Sequence, residues 1–274
     1  MTDPTPIVDR LTIYPIKSLD RRSVDSVSIV ENGGLAGDRE FALFDANDNY
    51  VNGKREQQIH RISADYEGNR ARIDAVSLSS TDSEPRRFET SELTDSGAAV
   101  GWLSEQLEYR VSLARDRDGG FPDDTHASGP TIISTATVET VASWFDGIST
   151  AEMRRRLRPN IELGGVPAFW EDHLFADREH HVQFTIGDVS FRGVNPCQRC
   201  VVPSRDPDTG EEYDGFQSTF VEKRQATLPE WSGGDWFDHS FRLMLNTMVP
   251  QSEWGATIAV GDELDVGETV PAEE

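Results

Sequence analysis

The segment from residue 194 to residue 210 reads VNPCQRCVVPSRDPDTG and holds both cysteines of the chain, Cys197 and Cys200. A Cys-x-x-Cys spacing is compatible with a redox-active dithiol, half of a zinc site, ligands to another metal, or two small buried side chains. Two cysteines in 274 residues do not indicate a secreted disulfide scaffold. The neighbouring residues must therefore distinguish between the remaining interpretations.

The residues around the two cysteines argue against the zinc and dithiol interpretations. A zinc site needs two further ligands, and the candidates His180 and His181 are adjacent, so a strand would point them to opposite faces. A thioredoxin-like dithiol lies between a strand and a helix, whereas residues 201–203 are expected to form a strand. Arg199 stands between the cysteines, which weakens the interpretation as plain buried side chains.

Outside this segment, the pattern of apolar residues predicts mostly strands. In the first half, turn residues separate four expected strands, at residues 7–14, 24–30, 40–44 and 58–64. Residues 79–96 are polar and are expected to be a loop or an edge hairpin, and residues 98–109 have helical spacing. An Asp- and Gly-rich stretch then predicts a boundary near residue 118, with domains at 1–118 and 119–274.

The second half is expected to begin with two helices and to return to strands. Apolar spacing places the helices at residues 136–145, with Ser134 or Thr135 as the cap, and at 150–157. Short runs rich in β-branched residues predict the strands, at residues 158–163, 183–186, 189–192, 200–203 and 257–264. No βαβ alternation with a Gly-rich phosphate loop is present in the sequence.

The charge of the chain excludes one large class of function. With 26 basic and 49 acidic residues, the net charge is -23, whereas binding to nucleic acid depends on clustered Lys and Arg. The first ten residues contain no apolar signal-peptide core, and no window is long enough to span a membrane. We therefore expect a cytoplasmic protein that contacts neither nucleic acid nor membrane.

The acidic surface also leads to a prediction about salt. Lysine occurs only at Lys17, Lys54 and Lys223, and such a surface is typical of proteins from a high-salt cytoplasm, which is a hypothesis about habitat. Because salt screens the repulsion between like surface charges, thermal stability is expected to rise with molar KCl. Thermal unfolding followed from low to multimolar KCl tests this, and an unchanged melting temperature would contradict it.

A set of short motifs, taken in order, resembles one known family. The motifs are YPIKS (14–18), GLAGDR (34–39), RPNI (158–161), IGD (186–188), CQRC (197–200), DPDTG (206–210) and VGD (260–262). Together they resemble MOSC-domain proteins with a preceding MOSC N-terminal β-barrel domain, a group that includes the mitochondrial amidoxime-reducing component and its bacterial relatives. The resemblance implies a β-rich α+β fold, with a barrel-like MOSC_N domain followed by a β-barrel MOSC domain with a few helices.

The resemblance also implies a site for molybdenum-molybdopterin, the molybdenum cofactor. Cys200 matches the metal ligand and is the main candidate catalytic residue, while Cys197 lies outside the metal's ligand shell. The cofactor-binding candidates are Lys17, Ser18, Arg39, Arg158, Asn160 and Arg199, with Lys54 and Arg55 as further candidates for the pocket wall. Cationic and amide groups suit an anionic cofactor, which needs a local reversal of sign on so acidic a chain.

Alternatives remain open for individual residues. Arg158 would also serve as the cap of the helix that precedes it, and Asn160 would also satisfy backbone groups. The family's acidic or hydroxyl residue near the open face of the metal falls in residues 125–130, where Ser128 is the nearest match. Ser128 is therefore the second candidate catalytic residue, and the group that delivers protons decides the range of substrates.

The activity implied by the resemblance is a molybdenum-dependent reduction of N-hydroxylated small molecules, such as amidoximes and hydroxylamines. The chain has no cysteines for an iron-sulfur cluster and no dinucleotide motif, so a separate ferredoxin or flavin reductase must supply electrons. Two alternatives remain, a cofactor or sulfur carrier with a persulfide on Cys200 and a non-catalytic dithiol or zinc module. The resemblance also allows an association with pyridoxal phosphate, for which no residue is argued.

Overall fold

A computed structural model describes residues 5–94, 97–232 and 234–272 of the chain. The strands of the first half are β1 (Ile7–Ile13), β2 (Arg22–Val24), β3 (Ser26–Ser28), β4 (Phe41–Phe44), β5 (Ile62–Glu67), β6 (Ala75–Ser80), β7 (Ser83–Glu89) and β8 (Ser112–Arg115). Its helices are α1 (Thr90–Thr94) and α2 (Ala98–Leu107). Helix α2 buries Trp102, Leu103 and Leu107 against the β5-β6-β7 sheet side of this half, because these residues share one helical face.

The second half carries the remaining strands and helices. The strands are β9 (Ile132–Ser134), β10 (Ile161–Gly164), β11 (His180–Ile186), β12 (Val189–Gln198), β13 (Arg242–Met248), β14 (Thr257–Ala259) and β15 (Leu264–Pro271). The helices are α3 (Thr135–Ala142), α4 (Thr150–Leu157) and α5 (Phe216–Thr227). The side chains of Ser134 and Ser149 accept hydrogen bonds at the starts of α3 and α4, so both helices begin at capped residues.

One eight-stranded sheet joins the two halves of the chain. Its order is β15-β11-β12-β13-β9-β10-β1-β2, so two strands from the first half extend a sheet of the second half. Strand β1 runs antiparallel to β10, and β3 pairs with β14 in a separate small sheet. The division into residues 1–118 and 119–274 stays a prediction. The strand pairing shows that the two halves share one sheet.

The β-rich α+β class is confirmed, and so are most of the expected elements. Of residues 79–96, the described residues 79–94 form the hairpin between β6 and β7 followed by α1, and residues 95 and 96 lie outside the described residues. The helix expected at 98–109 is α2. None of the helices in the described residues is long and apolar enough to cross a membrane. The strands and helices that were predicted correctly are those whose apolar residues have a clear period of two or of 3.6 residues.

Several expected elements were wrong in detail. The strand expected at 200–203 is instead a 3₁₀ turn at Val202–Ser204, because Pro203 lacks a donor for a strand ladder and favours the first turn of a helix. The strand expected at 58–64 begins with a 3₁₀ turn at Gln58–Arg61, and the one at 257–264 breaks at Gly261, where φ is +96°. Strand β13 and helix α5 were not predicted at all.

A cluster of buried acids lies beneath α5. Glu171 belongs to the 3₁₀ turn Trp170–Leu174, and its Oε2 accepts hydrogen bonds from Ser134 N at 3.2 Å and from Thr137 Oγ1 at 3.0 Å. The other oxygen, Oε1, is buried without a hydrogen-bond partner in the described part of the chain. Burial and then the charge of Asp172 raise the pKa of Glu171 to about 7.

The raised pKa of Glu171 predicts a pH dependence of stability. Between about pH 4.5 and pH 7 the folded protein keeps the proton on Glu171 while the unfolded chain releases it. The free energy of unfolding should therefore fall by about 3 kcal/mol as the pH rises through this window. Denaturant unfolding at pH 5 and pH 8 tests the sign. The Glu171→Gln variant should lose most of this dependence, and equal dependence in both proteins would contradict the assignment.

Candidate functional site

A cleft of about 710 Å³ lies where the two halves of the chain meet. Its walls come from the loops after β1, from residues 119–131, from the end of α4 and from the ends of β12 and β13. All eight residues that the sequence nominated line it, namely Lys17, Ser18, Arg39, Ser128, Arg158, Asn160, Arg199 and Cys200. Of the two further candidates, Lys54 lines the cleft and Arg55 is not among the lining residues.

The cleft reverses the charge of the chain. Among its lining residues, ten carry a positive charge, namely Lys17, Arg21, Arg39, Lys54, Arg155, Arg156, Arg158, Arg199, Arg205 and Arg242. Only four lining residues are acidic, namely Asp20, Asp38, Asp123 and Asp124. On a protein of net charge -23, a concave wall with this excess of cations attracts anions.

Lys17 is the most deeply placed cation of the first half. Its side chain is 5% exposed, and Nζ donates to Phe121 O at 2.8 Å and to Asp123 Oδ1 at 2.9 Å. Burial lowers the pKa of Lys17, and the nearby Asp123 opposes that change. Burial works to raise the pKa of Asp123, but Lys17, Arg39 and Lys54 outweigh it and hold the pKa well below its usual range.

The Tyr14 ring contacts two of the cationic side chains. The guanidinium carbons of Arg158 and Arg39 lie 4.0 Å and 5.7 Å from the centre of its ring. The Tyr14 hydroxyl donates to Pro159 O at 3.1 Å, which ties β1 to the residue after Arg158. Burial raises the pKa of Tyr14 to about 12, so the phenol stays neutral and adds no negative charge to the cleft.

Strained backbone is concentrated at the cleft. Four lining residues other than glycine have positive φ angles, namely Ser18 at 74°, Arg39 at 50°, Arg158 at 57° and Met244 at 71°. Such conformations cost free energy in residues with a Cβ, and they persist where the surrounding fold imposes them. Arg158 is also the C-cap of α4, so its expected capping role and its place in the cleft occur together.

The two cysteines have different surroundings. Cys197 lies at an irregularity in the pairing of β12 with β13, next to Pro196, and packs against the core formed by the helices. Its Sγ accepts a contact from Arg199 Nη1 at 3.5 Å. Cys200 follows the end of β12, lines the cleft and is a free, partly buried thiol. The described residues contain no group of three or more His, Cys, Asp or Glu placed to hold a metal.

The side chains of Asn160 and Ser128 already form hydrogen bonds within the protein. Asn160 Oδ1 accepts from N and Oγ1 of Thr131, both at 3.2 Å, and its Nδ2 donates to Thr12 O at 3.0 Å. Asn160 thus satisfies backbone groups, the alternative left open above, and its contact with a cofactor stays a prediction. Ser128 Oγ donates to Asn32 O, so the hydroxyl is an acceptor toward the cleft, and its catalytic role stays a prediction.

Several residues of the cleft were not found from the sequence. Arg21, Arg205, Arg242, His60 and Asp123 all line it. The sequence gives little indication of them, because a single arginine after a turn is usually solvated. In addition, these residues are too far apart in the chain to form a recognisable spacing. Arg242 lies on β13, which was not expected to be a strand at all, and donates to Pro196 O at 3.2 Å.

Two family models match the chain. The model of the MOSC N-terminal beta barrel domain matches residues 5–110, and the model of the MOSC domain matches residues 123–265. The chain belongs to the MOSC-domain family. The resemblance read from the sequence is thus confirmed, as is the arrangement of a MOSC N-terminal barrel-like domain followed by a MOSC domain.

Curated relatives of this MOSC protein fall into two groups. The mitochondrial amidoxime reducing component 2 of Bos taurus is 25% identical over 74% of this chain and 67% of its own length. The mitochondrial amidoxime-reducing component 1 of Danio rerio is 25% identical over 74% and 70%. The molybdenum cofactor sulfurase of Caenorhabditis briggsae is 27% identical over 76% of this chain. The chain spans only 30% of that sulfurase.

A solved structure, the YUAD protein from Bacillus subtilis, covers 98% of this chain and 97% of its own, with 14% identity. Its TM-score of 0.39 is too low to support a conclusion. The family and the curated relatives together support a function related to the molybdenum cofactor. They give no support to pyridoxal phosphate.

The cleft fits an anionic pterin cofactor by its own chemistry. Several guanidinium atoms on its walls are buried and have no hydrogen-bond partner in the described residues, namely Arg21 Nη1, Arg199 Nε, Arg205 Nε and Nη1, and Arg242 Nε. A buried donor without a partner costs free energy, which an anion or an acceptor on a bound molecule would remove. The free thiol of Cys200 supplies a soft ligand in the same cleft.

Proposed function

We propose that this MOSC protein binds the molybdenum cofactor in the cleft and reduces N-hydroxylated small molecules. The observation that carries the proposal is the ten-to-four excess of cationic over acidic lining residues on a chain of net charge -23, with a free thiol among them. Clustered cations and unpaired guanidinium donors are what a phosphate-bearing pterin needs. The named activity of the amidoxime-reducing relatives supports the choice of N-hydroxylated substrates.

Each residue has a defined part in this proposal. Lys17, Arg39 and Arg158 hold the phosphate and the pterin, with Tyr14 keeping the two arginines in place. The Cys200 thiolate is the protein ligand to the metal, which keeps the sulfur deprotonated. When bound, the cofactor supplies two-electron reduction chemistry, while the protein provides binding, orientation and the shape of the pocket.

Two titratable residues of the cleft, Asp123 and His60, do not supply protons to the substrate in this proposal, and the electrons come from outside the chain. The low pKa of Asp123 keeps it ionised, and burial lowers the pKa of His60, so neither is a proton donor at neutral pH. The chain has only two cysteines, too few for an iron-sulfur cluster. We therefore propose a separate electron donor, of the ferredoxin or flavin reductase type, and a cytoplasmic location away from nucleic acid and membrane.

A cofactor or sulfur carrier is the second candidate. The similarity to relatives named molybdenum cofactor sulfurase favours it, and the matched part of this chain corresponds to 30% of the length of those relatives. In that case Cys200 would carry a persulfide instead of binding metal. A structural zinc module has less support, since the described residues contain no cluster of ligands beyond the two cysteines.

Molybdenum and pterin content of the purified protein tests the proposal. Protein made in a host that synthesises the cofactor is expected to hold about one molybdenum and one pterin per chain. Metal-free protein carrying sulfur that cyanide releases would favour the carrier instead. One zinc per chain without pterin fluorescence after oxidation would favour the structural module.

Lys17→Met should lower the molybdenum and pterin content. The variant removes a buried cation and leaves the ionised Asp123 facing the cofactor site, with Lys54, 3.7 Å away, as an exposed ion-pair partner and with Arg39 nearby. Loss of a charge-assisted bond and the added repulsion predict a loss of affinity of roughly 10- to 100-fold. Equilibrium dialysis against released cofactor measures it. The Lys223→Met variant, on the exposed side of α5, is the matched control, and equal loss in both would contradict a role for Lys17.

A further inference from the structure

Arg205 is a cation of the cleft that the proposed function does not use. Its side chain is 14% exposed, and Nε and Nη1 are buried without a hydrogen-bond partner in the described residues. Its one carboxylate contact is Glu212, whose Oε1 lies 3.5 Å from Nη2 and whose side chain is 59% exposed. A contact of that length to a solvated carboxylate leaves most of the guanidinium charge uncompensated.

His60 lines the same cleft and lies near the segment that carries Arg205, since a Cβ on Gly53 would be 2.7 Å from His60 Nε2 and 3.4 Å from Val202 Cγ2. His60 belongs to the turn Gln58–Arg61 of the first half, whereas Arg205 follows the turn Val202–Ser204 of the second. Burial first, and then Arg205 and Arg158, lower the pKa of His60. The His60 Nε2 lies 3.4 Å from Gly53 O, so the one N–H of the neutral ring is directed at that carbonyl and the ring adds no positive charge to the wall.

Arg158 connects this wall to the proposed cofactor site. Its guanidinium lies over Tyr14 on one side, and it contributes to the low pKa of His60 on the other. No carboxylate lies within ion-pair distance of Arg158 in the part of the chain that the structure describes. Asp206, whose charge opposes the lowering of the His60 pKa, accepts at Oδ1 from the amides of Asp208 and Thr209, and its Oδ2 lies 3.9 Å from Arg156.

Two guanidinium groups without matching acids in a partly desolvated wall are unfavourable until an anion joins them. We propose that Arg205 is the anchor of a second anion subsite, bordered by the neutral His60 ring and by Arg158 of the proposed cofactor site, which holds a phosphate or carboxylate group distinct from the phosphate near Lys17. Arg205 contributes a planar fork suited to such a group. The group belongs either to the substrate of the proposed reaction or to an additional phosphate on a nucleotide form of the cofactor.

The existence of the subsite is tested without cofactor, so that it does not depend on the proposed function. Protein made in a host that lacks the cofactor is titrated with inorganic phosphate by calorimetry. The native chain is expected to bind two phosphates, Arg205→Gln one, and Lys17→Met the other one. Affinity at the subsite should fall roughly 10- to 100-fold in Arg205→Gln and less in Arg205→Lys, which keeps the charge. An Arg205→Gln variant that binds two phosphates would overturn the proposal.

The source of the anion is identified with cofactor-loaded protein. If the anion belongs to the substrate, Arg205→Gln should lower kcat/KM for a carboxylated benzamidoxime roughly 10- to 100-fold and leave uncharged benzamidoxime nearly unchanged. If it belongs to the cofactor, the released pterin should carry two phosphates, and Arg205→Gln should lower its content. Arg61→Gln is the matched control, because Arg61 is exposed in the same turn as His60 and does not line the cleft. Effects equal to those of the control in every arm would overturn the subsite.

Discussion

Replacing Cys200 with alanine is expected to abolish the reduction of N-hydroxylated substrates, while replacing Cys197 with alanine retains much of it. Both cysteines are free thiols that line the cleft, but Cys197 also packs against the helical core and contacts Arg199 at 3.5 Å, whereas Cys200 matches the metal ligand of the family. Loss of a metal ligand should exceed the roughly 10- to 100-fold cost typical of groups that only orient ligands. Steady-state turnover with a chemical reductant measures the effect.

Three outcomes of the cysteine experiment are distinguishable. Molybdenum content measured beside turnover shows whether Cys200→Ala has lost the metal or only its reactivity. Equal and complete loss of turnover in both variants, with the fold intact by circular dichroism, would contradict a single metal ligand and support a dithiol. Loss of sulfur released by cyanide in Cys200→Ala, from protein without molybdenum, would support the carrier.

Replacing Arg224 with methionine is expected to destabilise the protein by about 3–5 kcal/mol, because it leaves the buried Asp172 carboxylate without its partner. Arg224 Nη2 lies 2.5 Å from Asp172 Oδ2, and the Arg224 side chain is 0% exposed. The guanidinium also packs on Phe169 and Phe237, at 4.6 Å and 5.1 Å from the ring centres. Denaturant unfolding measures the free energy of unfolding.

A second variant separates the ion pair from the packing. Combining Arg224→Met with Asp172→Leu removes the unpaired charge, and the double variant should regain a large part of the loss. Arg87→Met is the matched control, because Arg87 and Glu67 form an exposed pair at 2.9 Å whose loss should change the free energy of unfolding little. A double variant less stable than Arg224→Met alone would show that the pair is not what stabilises this region.

The placement of Arg224 shows why local pattern failed in one part of the chain. Helix α5 has no clear apolar stripe, since polar residues stand on most of its turns, and its buried face includes a charged side chain. Only an acid 52 residues earlier, on the turn Trp170–Leu174, makes that burial favourable. Such pairing between distant segments leaves no periodic signal.

Sequence by itself determined the family and the β-rich class of this protein, and it nominated the residues of the candidate site. The motifs around Lys17, Arg39, Arg158 and Cys200 keep a fixed order along the chain, and all four residues line the cleft. Local spacing also determined α2, α3 and α4, because an apolar face specifies each helix without help from distant residues, and serine caps mark the starts of α3 and α4.

Tertiary structure alone decided how the two halves build one site and which side chains remain available in it. The pairing of β1 with β10 brings Tyr14 and Arg158 into contact. The side-chain amide of Asn160, a cofactor-binding candidate from the sequence, forms hydrogen bonds with Thr12 and Thr131 instead. His60 and Arg205 come to line the same cleft only through folding. The physical reason is that burial and unpaired charge depend on contacts between distant segments, whereas motifs and helical faces are properties of neighbouring residues.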